Sequence, residues 1–191
     1  MEPTDRENAG KNEGNAAPMG EGRERGAMRE EIVEGIARLH KGARSLTLAT
    51  QNKDGTPDLS VAPYVFFDGA YWVFLSRLAR RTANLRRDGA AALMLAQDES
   101  EAPDVYARAR LSFPARSEEI GRDEPTGRKA MELLARRFGP TFETLSALPD
   151  FALFRLIPGR GRLILGFGKA FNVSAESELK DAAARIGKDD A

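Results

Sequence analysis

Five arginines, Arg77, Arg80, Arg81, Arg86 and Arg87, crowd one short stretch that opens with Ser76 and also contains Thr82. The spacing of Leu78, Thr82 and Leu85 predicts that the chain passes there from a strand into a short helix, Ala79 to Arg87. A strand-to-helix junction favours an anion, because the first helical turn carries unpaired backbone N–H groups at the positive end of the dipole. Arg80 and Arg81 can add paired hydrogen bonds to phosphate oxygens, and Ser76 and Thr82 can add hydroxyls. The chemistry in view is capture of a phosphate group, and the alternative is a solvated basic helix face. Arg108 and Arg110 stand two apart in a predicted strand from Tyr106 to Ala115, so they share one face, and Arg108 is a second-tier anion contact unless that face meets solvent. Lys169, beside Gly166-Phe167-Gly168, is a further secondary contact.

Composition removes much other chemistry. There is no cysteine and one histidine, His40, which excludes disulfides, thiolate metal sites, Cys nucleophiles and an imidazole cluster, so no metal site is expected. His40 reads as an ordinary surface or boundary residue. No G-x-S-x-G elbow occurs, and without a usable histidine no serine triad can be assembled. Gly166-Phe167-Gly168 lacks the third glycine of a dinucleotide fingerprint and reads as a strand bulge or a close approach to another chain. The acidic loop Asp98 to Asp104 lacks calcium-loop spacing and reads as a solvated connection. Basic and acidic residues balance at 29 each, so no global field favours nucleic acid or an anionic membrane. No apolar run is long enough to span a bilayer and no signal peptide is evident, which predicts a cytoplasmic protein. No residue is identified as catalytic.

The elements that must position the arginines are mostly strands. Residues 1–26 lack large apolar side chains and are expected to be a disordered tail. Residues 27–173 form the folded domain in this reading, and 174–191 a polar, loosely helical tail. Met28, Ile32, Ile36 and Leu39 mark one stripe of a first helix that ends at Gly42. Strands follow at Ser45–Gln51, Thr56–Phe67 and Ala70–Ser76, joined by turns at Asn52 to Gly55 and at Asp68-Gly69. After the arginine helix, Ala90–Ala96 reads as a strand buried on both faces. Beyond the Tyr106–Ala115 strand, a helix through Met131, Leu134 and Phe138 stops at Gly139-Pro140, and a second short helix follows. Phe151–Ile157 and Arg162–Val173 then flank a turn at Pro158 to Gly161. This order lacks βαβ alternation and predicts a mainly β, α+β domain: a closed or nearly closed antiparallel barrel with peripheral helices.

Several motifs resemble one family. Ser45-Leu46-Thr47-Leu48-Ala49-Thr50, Ala62-Pro63-Tyr64-Val65, Ser76 through Leu85, and Gly166-Phe167-Gly168-Lys169-Ala170-Phe171 are similar to the haem-utilisation branch, of the HugZ and HutZ type, of the pyridoxamine 5′-phosphate oxidase-like, FMN-binding split-barrel superfamily. The likeness extends through Tyr106 to Leu111 and Asp150 to Phe154, in the family's order. It implies an antiparallel, six-stranded split barrel and a homodimer with two small-molecule cofactor sites at its interface. It also implies that Ala79-Arg80-Arg81 stands where flavin-binding relatives hold the FMN phosphate, with Pro63, Tyr64 and Leu75 as ring contacts. The basic pair that faces the flavin ring in the oxidases has no counterpart between Ser60 and Val65. Haem is the alternative cofactor. The histidine that haem-degrading relatives supply near the C-terminus is absent from Ser174 to Ala191, and Tyr64, Tyr71 and Tyr106 are ligands only in principle. The resemblance thus implies an FMN-dependent oxidoreductase first, a haem-binding or haem-degrading protein second, and a non-enzymatic flavin or haem carrier or sensor third.

Overall fold

The computed structural model describes residues 19–189. A closed barrel of six antiparallel strands lies at its centre. The strands are β1 (Ser45–Gln51), β2 (Pro57–Phe67), β3 (Ala70–Ser76), β4 (Ala90–Ala96), β5 (Arg110–Ile120) and β6 (Phe151–Pro158). Their order is β4-β1-β2-β3-β6-β5, and a β4–β5 pairing closes the ring. The long β5 is shared: Ala115 to Ile120 pair with β6, while Arg110 to Ser112 pair with β7 (Gly161–Gly166). With β8 (Lys169–Val173), β7 forms a hairpin outside the barrel, bulged between Ile164 and Gly166. The expected single strand Arg162–Val173 is therefore two, and Gly166-Phe167-Gly168 is chiefly their turn, with Gly166 and Gly168 at φ of 149° and 69°. The β2–β3 turn has Asp68 at φ 52° and Gly69 at φ 68°, the left-handed pair that an Asp-Gly sequence adopts when it closes a tight hairpin.

Alternation sorts the side chains. Leu46, Leu48, Tyr64, Tyr71, Val73, Leu75, Leu93, Leu95, Leu111 and Phe113 fill the barrel and are fully buried. Helix α1 (Met19–Gly42) packs Ile32, Val33, Ile36 and Leu39 onto the same core. It begins nine residues before Met28, and Met28 itself is exposed, so the buried stripe starts one turn later than its spacing suggested. The remainder of the expected N-terminal tail lies outside the described residues. On the other side, α3 (Pro125–Phe138) and α4 (Pro140–Ser146) bury Ala130, Leu134 and Phe142 against Val65, Trp72 and Leu153.

Two expectations are corrected. The segment read as a loose, polar helical tail is helical, as α5 (Glu178–Asp189), but docked: its Leu179 and Ala182 are fully buried in the main core. It is tied to α1 by Arg29–Asp181 at 2.6 Å and Arg185–Glu30 at 2.8 Å. Strand β4 is not covered on both faces, since Ala90 and Ala92 point to solvent. Among the described residues no helix is long and apolar enough to cross a membrane.

Candidate functional site

Helix α2 (Arg80–Asp88) seats Thr82, Asn84 and Leu85 in the fold. Asn84 Nδ2 donates to Thr50 Oγ1 at 3.0 Å and to Asn52 Oδ1 at 3.1 Å, which fixes the helix to the end of β1 and its turn. Thr82 Oγ1 donates to the Ser76 carbonyl at 2.6 Å, and Ser76 Oγ accepts from Leu78 N at 3.3 Å. These two hydroxyls, read from sequence as anion contacts, hold the bend between β3 and α2. They shape the site; their bonds are already committed to the chain.

The arginines divide into two groups. Arg86 forms a fork with Glu119 through Nε at 2.6 Å and through a terminal nitrogen at 2.7 Å, and Arg77 approaches the same carboxylate at 3.3 Å. The Arg86 hydrogen bond, with help from Arg77, holds the Glu119 carboxyl below the usual carboxylate range. Arg87 is bound to Asp88 and to the Gln51 carbonyl. Arg80 and Arg81 are different. The Arg80 side chain is 80% exposed and, among the described residues, its one ion pair is with Asp58, at 3.4 Å. Arg81 Nε is buried without a hydrogen-bond partner, and among the described residues no carboxylate pairs with this side chain. The helix they open has Ala79 at its N-cap and no side-chain cap. An uncapped first turn, a lightly held guanidinium and an orphaned buried N–H are all donors that an anion satisfies.

Beside Asp58, the outward face of β2 carries Leu59 and Val61, 71% and 61% exposed, followed by exposed Pro63. Thr47 and Ala49 of β1 lie opposite Val61 and Leu59 in register. Among the described residues nothing covers this apolar face. Sequence reasoning missed Leu59 and Val61; their signal is apolar character at both parities of β2, since Ala62 and Tyr64 already fill the inward face.

The remaining expected contacts fall elsewhere. Tyr64 and Leu75 point into the barrel core, at 0% and 1% exposure, so neither can lie against a ring on the outer face; Pro63 alone of the three is exposed there. Arg108 is not on a strand. It follows the short helical turn Val105–Ala107, donates from Nε to the Gln97 carbonyl at 2.6 Å and reaches Glu99 at 3.3 Å. Lys169 opens β8 and pairs with Glu31 of α1.

His40, read from sequence as a surface or boundary residue, is instead buried within the aromatic group formed by Tyr64, Phe66 and Tyr71. Its Nδ1 lies 2.9 Å from the Ile36 carbonyl and its Nε2 lies 2.9 Å from Tyr71 Oη. A carbonyl only accepts, so the neutral ring carries its proton on Nδ1 and Nε2 accepts from the phenol. That Nε2 lone pair, the one an iron would need, is used. Tyr71 is itself fully buried, whereas Tyr106 is 85% exposed. Among the described residues there is no group of three or more His, Asp or Glu side chains arranged to hold a metal ion.

The family described as pyridoxamine 5′-phosphate oxidase matches residues 28–165. A heme oxygenase, HutZ of Vibrio cholerae serotype O1, is 36% identical over 141 residues, which cover 74% of this chain and 80% of that one. The solved structure of HutZ from Vibrio cholerae, described there as a heme storage protein, superposes with a TM-score of 0.64 at 34% identity over 73% of this chain and 94% of that one. The structure of a heme binding protein from Mycobacterium smegmatis shares the fold, with a TM-score of 0.70 at 22% identity over 80% of this chain and 60% of its own.

Proposed function

From the premise that the chain belongs to the pyridoxamine 5′-phosphate oxidase family, in the haem-utilisation branch that contains HutZ, we propose that it is an FMN-binding oxidoreductase working as a homodimer in the cytoplasm. The observation that carries this reading is the pair Arg80 and Arg81 at the uncapped start of α2, the two members of the arginine run that β5 and β1 do not consume. In it, Arg80, the Arg81 guanidinium and the first backbone N–H groups of α2 hold the FMN phosphate. The outward side chains Leu59, Val61 and Pro63 lie against the ring and against a second copy, which excludes water from both. When bound, a flavin supplies reversible uptake of a hydride or of single electrons. No basic side chain of β2 faces outward from Leu59 to Pro63, so the ring is positioned by apolar contact and backbone N–H groups there.

A second reading is haem binding, supported by the 36% identity with a protein named as a heme oxygenase. The same two arginines suit propionates, but among the described histidine and tyrosine side chains His40 and Tyr71 are bonded to each other, Tyr64 is buried in the core, and Tyr106 alone is exposed.

The absorption spectrum of the purified protein tests the two. Flavin bands, with FMN identified by mass after heat release, are the expected outcome; a Soret band reverses the ranking, and a colourless protein that takes up neither cofactor removes both. The dimer is tested by sedimentation of the double variant Leu59→Glu and Val61→Glu. Wild-type protein is expected to sediment as a dimer and the variant as a folded monomer without flavin; a monomeric wild type overturns the interface.

A further inference from the structure

A second site lies on the outer face of β5, β7 and β8. An open cavity of about 710 Å³ is bounded there by Ala92 of β4, Ser112 and Pro114 of β5, the β6–β7 turn, Asn172 of β8 and the start of α5. Gly161 lets β7 close onto β5, since a Cβ at this position would collide with the Phe113 ring and the Ser112 carbonyl. The register then sets Arg162 opposite Ser112 on one side and opposite Asn172 on the other. Leu111, Leu163 and Val173 fill the core on the alternate face. Ser112, Arg162 and Asn172 therefore turn outward together, about 4.8 Å apart from strand to strand.

The charged side chains that line the cavity among the described residues are Glu178, Arg160 and Arg162. Glu178 is committed: its carboxylate accepts from Ser174 N at 2.9 Å, from Ser177 Oγ and from Arg29 at 3.3 Å. Arg160 and Arg162 are exposed, and among the described residues neither has an ion pair or a side-chain hydrogen bond. The Ser112 hydroxyl and the Asn172 amide are likewise unbonded among the described residues. This row of donors matches one carboxylate, which offers about four lone-pair positions on two oxygens. The Arg162 fork takes two of them, and the hydroxyl and the amide N–H on its flanks take one on each oxygen. Arg160, in the β6–β7 turn, is left for a second acid group. Ala92 and Pro114, exposed and opposite each other in register, add an apolar shelf. The volume falls in the range of small-molecule sites.

We propose that this cavity binds a short aliphatic dicarboxylate, at a site separate from the Arg80–Arg81 junction. One carboxylate pairs with Ser112, Arg162 and Asn172, the other pairs with Arg160, and the methylene chain lies along Ala92 and Pro114. A monocarboxylate fills the first position and leaves Arg160 unpaired, so it binds more weakly.

The experiment is a titration of the nitrogen-labelled full chain with glutarate or butyrate, followed by amide shifts and calorimetry. Glutarate is expected to move the amides of Arg160, Arg162 and Asn172 and to bind at least about tenfold more tightly than butyrate. Arg162→Gln is expected to weaken both acids about tenfold or more. Arg160→Gln is expected to bring glutarate to the level of butyrate and to leave butyrate unchanged, a split that a general loss of positive charge does not give. Arg116→Gln, exposed on β5 outside the cavity, is expected to change neither. Asn172→Asp sets a carboxylate beside Arg162 and is expected to weaken both acids, which keeps the test decisive if Arg162→Gln disturbs the hairpin. Glutarate binding no tighter than butyrate, an equal loss in Arg116→Gln, or shifts confined to α2 overturns the proposal. None of these outcomes depends on whether FMN binds.

Discussion

Acidification from pH 7 to pH 5 is expected to cost the folded protein about 2 kcal/mol through His40 alone. Burial, helped by the nearby Arg137 charge, depresses the imidazole from 6.5 to about 4, against the opposing pull of the Ile36 carbonyl. The unfolded chain therefore takes up a proton near pH 6.5 that the folded chain refuses until about pH 4. Stability from this residue is complete above pH 6.5 and falls as the pH drops through the window between those values. The whole window amounts to about 3 kcal/mol, a sizeable fraction of the ordinary stability of a domain. Several carboxylates are held below their ordinary range by their partners. Asp54, held down by the Thr56 hydroxyl, and Asp88, held down by Arg87, lose their contribution only below pH 4. Between pH 7 and pH 5 the histidine dominates.

The measurement is urea unfolding at half-unit pH steps for the wild type and for His40→Gln. Glutamine cannot take the proton but can still donate to Ile36 O or accept from Tyr71 Oη, so its stability is expected to be lower overall and nearly flat across that window. A parallel fall in both proteins removes His40 as the origin. The result also bears on haem. A ferric haem that captured Nε2 would release the Tyr71 phenol into the core without its acceptor, so haem uptake that leaves the pH profile unchanged argues against His40 as the ligand.

His40 shows why parts of the site were hidden in the sequence. A single histidine near the end of a helix reads as a boundary residue, because its partner Tyr71 lies on β3 and no local spacing connects them. The barrel itself was largely legible. Asp68-Gly69 demanded a tight hairpin, the aromatic and branched residues on either side read as strands, and the absence of βαβ units left an antiparallel ring as the closed solution. The β7–β8 hairpin was not legible, because a turn of the form Gly-Phe-Gly inside an apolar run resembles a bulge until the left-handed backbone at Gly168 is seen. The docking of α5 was also hidden. Leu179 and Ala182 are its buried anchors, and so sparse an apolar signal in a charged segment matches a solvated tail equally well. The arginine run was visible as a cluster, but its division into structural and available members depends on Glu119, which β5 delivers from a distant part of the chain.

That division sets the second large effect. Arg80→Ala together with Arg81→Ala is expected to weaken FMN by about 3 kcal/mol, roughly a hundredfold in Kd, at unchanged stability. Each charge-assisted hydrogen bond to a phosphate is worth on the order of 1.5 to 3 kcal/mol. Arg80, 80% exposed, belongs at or below the low end because solvent screens it, and Arg81 belongs higher because its Nε is already withdrawn from water without compensation. The single variants should therefore rank, with Arg81→Ala the weaker binder. Riboflavin supplies the internal control, since it carries the same ring without the phosphate, and the double variant should leave its affinity where it was. Arg86→Ala supplies the opposite control: it strips Glu119 of its fork and should lower the melting temperature while FMN still binds. An unchanged FMN affinity in the double variant would detach the phosphate from α2. A parallel loss of riboflavin would instead mean that the two arginines shape the apolar face of β2, with Asp58 as the link between them.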